Sequence, residues 1–244
     1  MRTKILFIFV VVFIINYELF GTVYTSTGAG NWSTAGNWVS VPPGTPGPPG
    51  VGDDVTINDN ITVDGPVTCN SIALAANVLT YTGQTLTVSG AISRTGGTLT
   101  GGGSGVLSIG GCTNLSDSYG TINDLTITGA TTVGGALTVT GNLALSGGLL
   151  TYTGQTLTVT GTLSRTAGTL TGGGTGALSI GGCTNLSDSY GTINDLTITG
   201  AATVGGALTV TGNLALSSGA LAYSGQTITV TGTLSRTGGT LNGG

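Results

Sequence analysis

The chain repeats itself. Residues 79–149 and 150–220 align without a gap and are identical at 62 of 71 positions, and a third copy runs from Leu221 for 24 residues to Gly244. Tyr81, Tyr152 and Tyr223 are equivalent positions, as are Arg94, Arg165 and Arg236, and so are Cys112 and Cys183. Self-similarity at a fixed long period marks architectures in which one unit cannot bury its apolar face alone and stability comes from stacking neighbours.

A shorter beat runs inside each copy. Apolar openings recur at Leu137 (LTVTG), Leu143 (LALSGG), Leu150 (LTYTG), Leu157 (LTVTG), Leu163 (LSRTAG) and Leu170 (LTGGG), in steps of six or seven residues. Each unit alternates apolar and polar residues, which describes a strand with one face buried: Leu137 and Val139 inward, Thr138 and Thr140 outward. Gly or a small polar residue closes each unit and allows a sharp corner. The turns lack the Asn-Gly or Asp-Gly signature of hairpins. The expected fold is therefore all-β: a right-handed, three-sided parallel β-helix with an N-terminal cap. LTVTG recurs after 20 residues, or three units, which makes one turn. The next step, to LSIGG at Leu178, is 21, and the step from there to Leu208 is 30. The reading is about three turns per copy, with the long step holding an insertion at 183–195 (CTNLSDSYGTIND). A further strand set, LTITG at 196–200, leaves the number of turns open.

Composition agrees. Only 6% of residues are charged and 39% are hydrophobic, which excludes a disordered chain. The 47 Gly follow no three-residue period, which excludes collagen. Each turn would bury about six Leu, Ile or Val side chains, at roughly 1.5–3 kcal/mol apiece. Outward Thr suits a pleated surface because its β-branched side chain packs well there.

The chain divides into three parts. Residues 1–21 read as a signal peptide, with Arg2 and Lys4 before the apolar run Ile5–Ile15. Eleven apolar residues are too few for a membrane span, and an uncleaved anchor is the alternative. Residues 22–63 read as a cap with a Pro/Gly-rich loop at 42–52, Trp32 and Trp38 covering the first turn. Residues 64–244 form the β-helix, with copies at 79–149, 150–220 and, in part, 221–244. The third copy stops within a turn, so the chain is expected to be part of a longer polypeptide.

Chemistry is scarce. There is no His, and beyond residue 21 there is no Lys or Glu, only three Arg and eight Asp. That balance excludes nucleic-acid binding, which requires a basic patch. Any general base would be an Asp. Asp53, Asp54, Asp59 and Asp64 are the candidates for a polysaccharide-active site, but GDDVTI reads better as a turn and strand entry. The pairs Asp117/Asp124 and Asp188/Asp195, with Asn114 and Asn185 nearby, offer calcium ligands, though a solvated loop is the preferred reading. Three turns would put Cys112 and Cys183 roughly 14 Å apart, too far for a disulfide. Tyr81, Tyr152 and Tyr223 share strand parity with Leu79, Leu150 and Leu221 and are read as core. The three Arg are read as aids to solubility and edge protection, with contact to an anionic glycan as the alternative. Asn31, Asn60, Asn114 and Asn185 match the N-glycosylation acceptor pattern, a signal without meaning in a bacterial protein. The T-x-T pairs Thr138/Thr140, Thr158/Thr160, Thr209/Thr211 and Thr229/Thr231 are expected on one side, interrupted at Ser108 and Ser179, and resemble the ice-binding face of some antifreeze proteins. No catalytic residue, metal ligand or cofactor site is assigned.

The opening GNWSTAGNW…P…GDDVTI…ITVDG, followed by β-helical repeats, resembles bacterial secreted parallel β-helix proteins of the filamentous-haemagglutinin and autotransporter adhesin type. The resemblance covers most of the chain after residue 21. It implies surface display, with the helix as stalk or adhesive fibre, although no translocator or C-terminal sorting domain is present in the sequence. The expected function is thus a secreted or cell-surface structural, adhesin-like segment without catalysis, located outside the cell. Surface glycans or host matrix components are its candidate partners. The alternatives are an ice-binding protein and a polysaccharide-active enzyme.

Overall fold

The structure is a computed structural model and describes residues 21–45 and 47–244. The expected signal peptide lies almost wholly outside these residues. Strands make up 53% of the chain and helix 4%, and parallel coils stack into a β-solenoid of about nine turns. At roughly 4.8 Å per turn, nine turns make a rod on the order of 45 Å long.

Three parallel sheets line the rod. Sheet I carries Ile61–Thr62, Val78–Thr80, Thr98–Thr100, Gly120–Thr121 and Leu137–Val139, then continues to Leu234–Arg236. Sheet II starts at Val67–Cys69 and runs through Asp124–Ile127 and Leu143–Leu145 to Thr240–Asn242. Sheet III runs from Asp54–Ile57 through Ser71–Leu74, Thr131–Val133 and Leu149–Thr151 to Ile228–Val230. The alternation read from sequence holds in space: Leu137 and Val139 are buried and Leu137 pairs with Leu157, the same position one turn later.

The number of turns per copy differs from expectation. Copy 150–220 contributes eleven sides: Leu149–Thr151, two from Thr156–Arg165, Thr169–Thr171, two from Ala177–Leu186, Gly191–Thr192, Asp195–Ile198, Ala202–Val204, Leu208–Val210 and Leu214–Leu216. The ten-residue strands bend across a corner, so that Leu157 pairs with Leu137 on sheet I while Leu163 pairs with Leu143 on sheet II. Eleven sides are three turns and two further sides. Equivalent residues of successive copies therefore occupy different sheets: Leu79 is on sheet I, Leu150 on sheet III and Leu221 on sheet II. The expected insertion at 183–195 does not exist. Its residues supply the end of Ala177–Leu186 and the side Gly191–Thr192, joined through the 3-10 turn Asp188–Tyr190, and Ser179 of LSIGG lies beside Thr197 of LTITG, not beside the LTVTG at 208. Pairing requires matched parity and rung length, not matched motifs, so unlike motifs stack on one another.

Corners are tight. A Cβ on Gly129 would meet the Gly110 carbonyl oxygen at 1.7 Å, and one on Gly200 would meet that of Gly181 at 1.7 Å. Glycine here is demanded by backbone approaching backbone in the next coil.

The N-terminal end is closed. Val23–Ser26 pairs in parallel with Asp54–Ile57 and antiparallel with Trp38–Val41, so the parallel stack already begins inside the segment read as cap. Trp32 and Trp38 are both buried, edge to face with ring centroids 4.9 Å apart. Their indole N–H groups donate to Pro49 O at 3.0 Å and Trp32 O at 2.8 Å, so neither buried donor is left unpaired. On the outermost C-terminal turn Leu234 and Leu241 are exposed, whereas their counterparts Leu163 and Leu170 are buried beneath the next coil.

Candidate functional site

All eight carboxylates beyond residue 21 accept hydrogen bonds that tie one segment of the coil to another. Asp53 accepts from the backbone N–H of Thr22 and of Gly50, both at 2.8 Å. Asp54 accepts from Asn70 Nδ2 and Ser71 Oγ, Asp59 from Ser26 Oγ, and Asp64 from Ser33 N and Oγ. Asp117 accepts from Thr138 N (2.6 Å) and Asp188 from Thr209 N (2.5 Å). Asp124 and Asp195 each accept from the backbone and side chain of Asn142 and Asn213, one coil on. Asn142 and Asn213 pass the ladder to Thr162 and Thr233. Carboxylates satisfied by N–H and O–H donors in this way brace a corner.

The acidic residues adjacent in sequence consequently do not converge in space. Asp117 lies at the corner between sheets III and I, and Asp124 at the corner between sheets I and II. No group of three or more His, Cys, Asp or Glu among the described residues is arranged to hold a metal ion. The Ser33 hydroxyl holds the Asp64 carboxyl below the usual carboxylate range, the ionised state being stabilised by the bond it accepts. An open groove of about 440 Å³ lies at the cap, lined by Trp32, Pro48, Pro49, Val51, Asp64 and Pro66 among others. It contains a single carboxylate, already bonded to Ser33.

The cysteines are free and buried. Cys112 and Cys183 stand on sheets III and II, which accounts for the absence of a bridge between them. Each thiol donates to a tyrosine hydroxyl, Tyr119 or Tyr190, at 3.4 Å, and holds the 3-10 turn Asp117–Tyr119 or Asp188–Tyr190 against the core. Burial, followed by the neighbouring thiol, pushes both tyrosine pKa values up. Burial, with Asp54 and Asp53 nearby, pushes the Cys69 thiol up to about 12. The Cys69 thiol therefore carries almost no thiolate at neutral pH and is a poor nucleophile.

Tyr81 and Tyr152 are core residues, as their parity indicates, and their hydroxyls have no hydrogen-bond partner. Tyr223 is half-buried on the last turn. Arg94, Arg165 and Arg236 fall on sheets III, II and I, and each Nε donates to a carbonyl three residues ahead: Gly97, Gly168 and Gly239. They close their own corners and do not form a basic row. All four acceptor-pattern asparagines, Asn31, Asn60, Asn114 and Asn185, are exposed.

The T-x-T pairs do not share one side. Thr138/Thr140 and Thr158/Thr160 belong to sheet I, Thr209/Thr211 and Thr229/Thr231 to sheet III. A longer feature replaces them. The outward position of sheet I is threonine on six consecutive coils: Thr62, Thr80, Thr100, Thr121, Thr138 and Thr158. Sheet III has a second row of six, Thr132, Thr151, Thr171, Thr192, Thr209 and Thr229, the last five being the one-copy equivalents of Thr80, Thr100, Thr121, Thr138 and Thr158. Ser179 follows the first row rather than breaking it, and Ser108 lies on sheet II. Spacing in the sequence did not reveal these rows, because they join Thr residues from unlike motifs.

Comparison with protein-family models, with curated proteins and with solved structures finds no match to this chain.

Proposed function

We propose that this chain is a structural rod without catalytic activity, displayed outside the cell as part of a stalk or fibre. The observation that carries this reading is the commitment of all eight carboxylates to hydrogen bonds within the coil. The residues that could perform acid–base chemistry stiffen the scaffold instead. The near-identity of the copies supports the same role, since an added copy lengthens the rod while reproducing the surface. The opening motif and the repeats agree with a filamentous-haemagglutinin or autotransporter adhesin type, and the basic-then-apolar N-terminus with export. Surface glycans or matrix components are the partners that fit a stalk.

Length tests the reading. Eleven sides at roughly 4.8 Å per turn add about 18 Å to the rod per copy. Small-angle scattering of chains with one and two extra copies inserted after residue 220 should show the maximum dimension growing by that step. A maximum dimension that stays constant, or rises irregularly, would mean that the copies do not extend one rod. A panel of acidic and neutral polysaccharides should remain uncut. Cleavage abolished by Asp54→Asn or Asp64→Asn would establish the enzyme reading.

A further inference from the structure

The two threonine rows are the part of the surface that the rod reading does not use. Each holds one outward Thr per coil for six coils, at the roughly 4.8 Å repeat of stacked strands. The rows contain no ionised side chain. Asp117 and Asp188 approach them only as acceptors for Thr138 and Thr209. The outward position of sheet II, by contrast, changes from Thr68 and Thr87 to Ser108, Thr126, Ala144 and Ser164. Thr is therefore not simply what every outward position carries.

A β-branched side chain is stiff about χ1, so a Thr row presents hydroxyl and methyl groups at regular intervals with little freedom to lose on binding. A hydroxyl donates one hydrogen bond and accepts two; Thr138 and Thr209 already donate to Asp117 and Asp188 and offer a partner their acceptor positions. An uncharged row selects an uncharged partner, because an ion would lose its hydration and gain no counter-charge. A partner matching a regular file of hydroxyls must itself repeat along the rod near the strand spacing. The oxygen lattice of hexagonal ice has such a repeat along its basal plane, and water molecules held between the hydroxyls would belong to both surfaces.

We propose that the Thr rows of sheets I and III bind ice. The eleven-sided copy then has a consequence: each added copy carries its row on the next face, so a longer rod offers ice-binding strips in several directions.

The test uses residues 22–244, the variant Thr121→Tyr/Thr192→Tyr, which blocks the middle of both rows, and Ser164→Tyr on sheet II as a matched surface change. Thr121, Thr192 and Ser164 are all exposed, and thermal unfolding followed by circular dichroism confirms that each protein folds. Ice-affinity partitioning and thermal hysteresis are the readouts. The proposal predicts incorporation into ice and faceted crystals for the unaltered chain and Ser164→Tyr, and loss of both in the folded double variant. Absence of hysteresis and partitioning in the unaltered chain overturns it, and so does full activity in the double variant. The rod reading stands or falls separately, on the scattering experiment.

Discussion

Single residues in this rod act mainly on the coil above or below them. A Cβ at Gly129 would collide with the Gly110 carbonyl, whereas one at Gly174 meets nothing within 4 Å. Gly129→Ala should lower stability by about 1–3 kcal/mol, and Gly174→Ala should leave it unchanged or raise it by up to about 1 kcal/mol. Urea denaturation separates the two. The buried hydroxyls of Tyr81 and Tyr152 have no partner, so Tyr152→Phe should stabilise the fold, by up to about 1–3 kcal/mol, in the same measurement. Asp64 has a folded-state pKa below its unfolded value. Its contribution is therefore present above the unfolded value and disappears as pH falls through the folded one. Stability measured from neutral to acid pH should fall less steeply in Asp64→Asn than in the unaltered chain. The inward and outward identity of residues such as Leu137, Thr138 and Tyr81 was legible in the sequence, because strand parity is a local property. The bonding partners of the aspartates were not. Asp117 and Asp124 are seven apart in the chain, yet one serves Thr138 and the other Asn142.

At the scale of the element, the unit is a short side with a corner. Four-residue stretches would be unstable alone, and each gains order from the coils on either side. The first coil has a neighbour on one side only, and the antiparallel Trp38–Val41 strand with the buried indole pair covers it. Trp32→Ala should cost about 3–5 kcal/mol, with hydrogen exchange rising first in Val23–Ser26 and Ile61–Thr62. Exchange rising uniformly along the rod would show that the cap is no separate stabilising unit. Trp32 and Trp38 were recognisable as covering residues because they stand apart in a chain with little aromatic content. The two ten-residue strands of a copy were not recognisable as pairs of sides. Gly161 and Gly182 lie at or beside their bends, where a sequence pattern reads them as ends of units, whereas the backbone continues across the corner.

For the whole molecule, the decisive property is that eleven sides do not divide into whole turns. Identical copies thereby place identical residues on different faces, and three copies are needed before a face recurs. The sequence suggested three turns per copy because LTVTG at 137 and 157 does stack on itself, and that rule was extended to LSIGG at 178 and LTVTG at 208. In space LSIGG takes LTITG as its neighbour, since the short sides at 183–186 and 191–192 carry the chain around the axis in between. This phase separates the Arg positions onto three sheets, keeps Cys112 from Cys183 and divides the Thr rows between two faces.

Engineered cysteines test that phase most directly. Adjacent parallel coils bring outward residues to roughly 4.8 Å, within disulfide range, while residues on different sheets cannot be bridged. The native thiols are buried. Under mild oxidation Ser179→Cys/Thr197→Cys should form an internal disulfide detectable by mass spectrometry, and Ser179→Cys/Thr209→Cys should not. A bridge in the second pair and none in the first would contradict the eleven-sided copy, and with it the arrangement of every face described above.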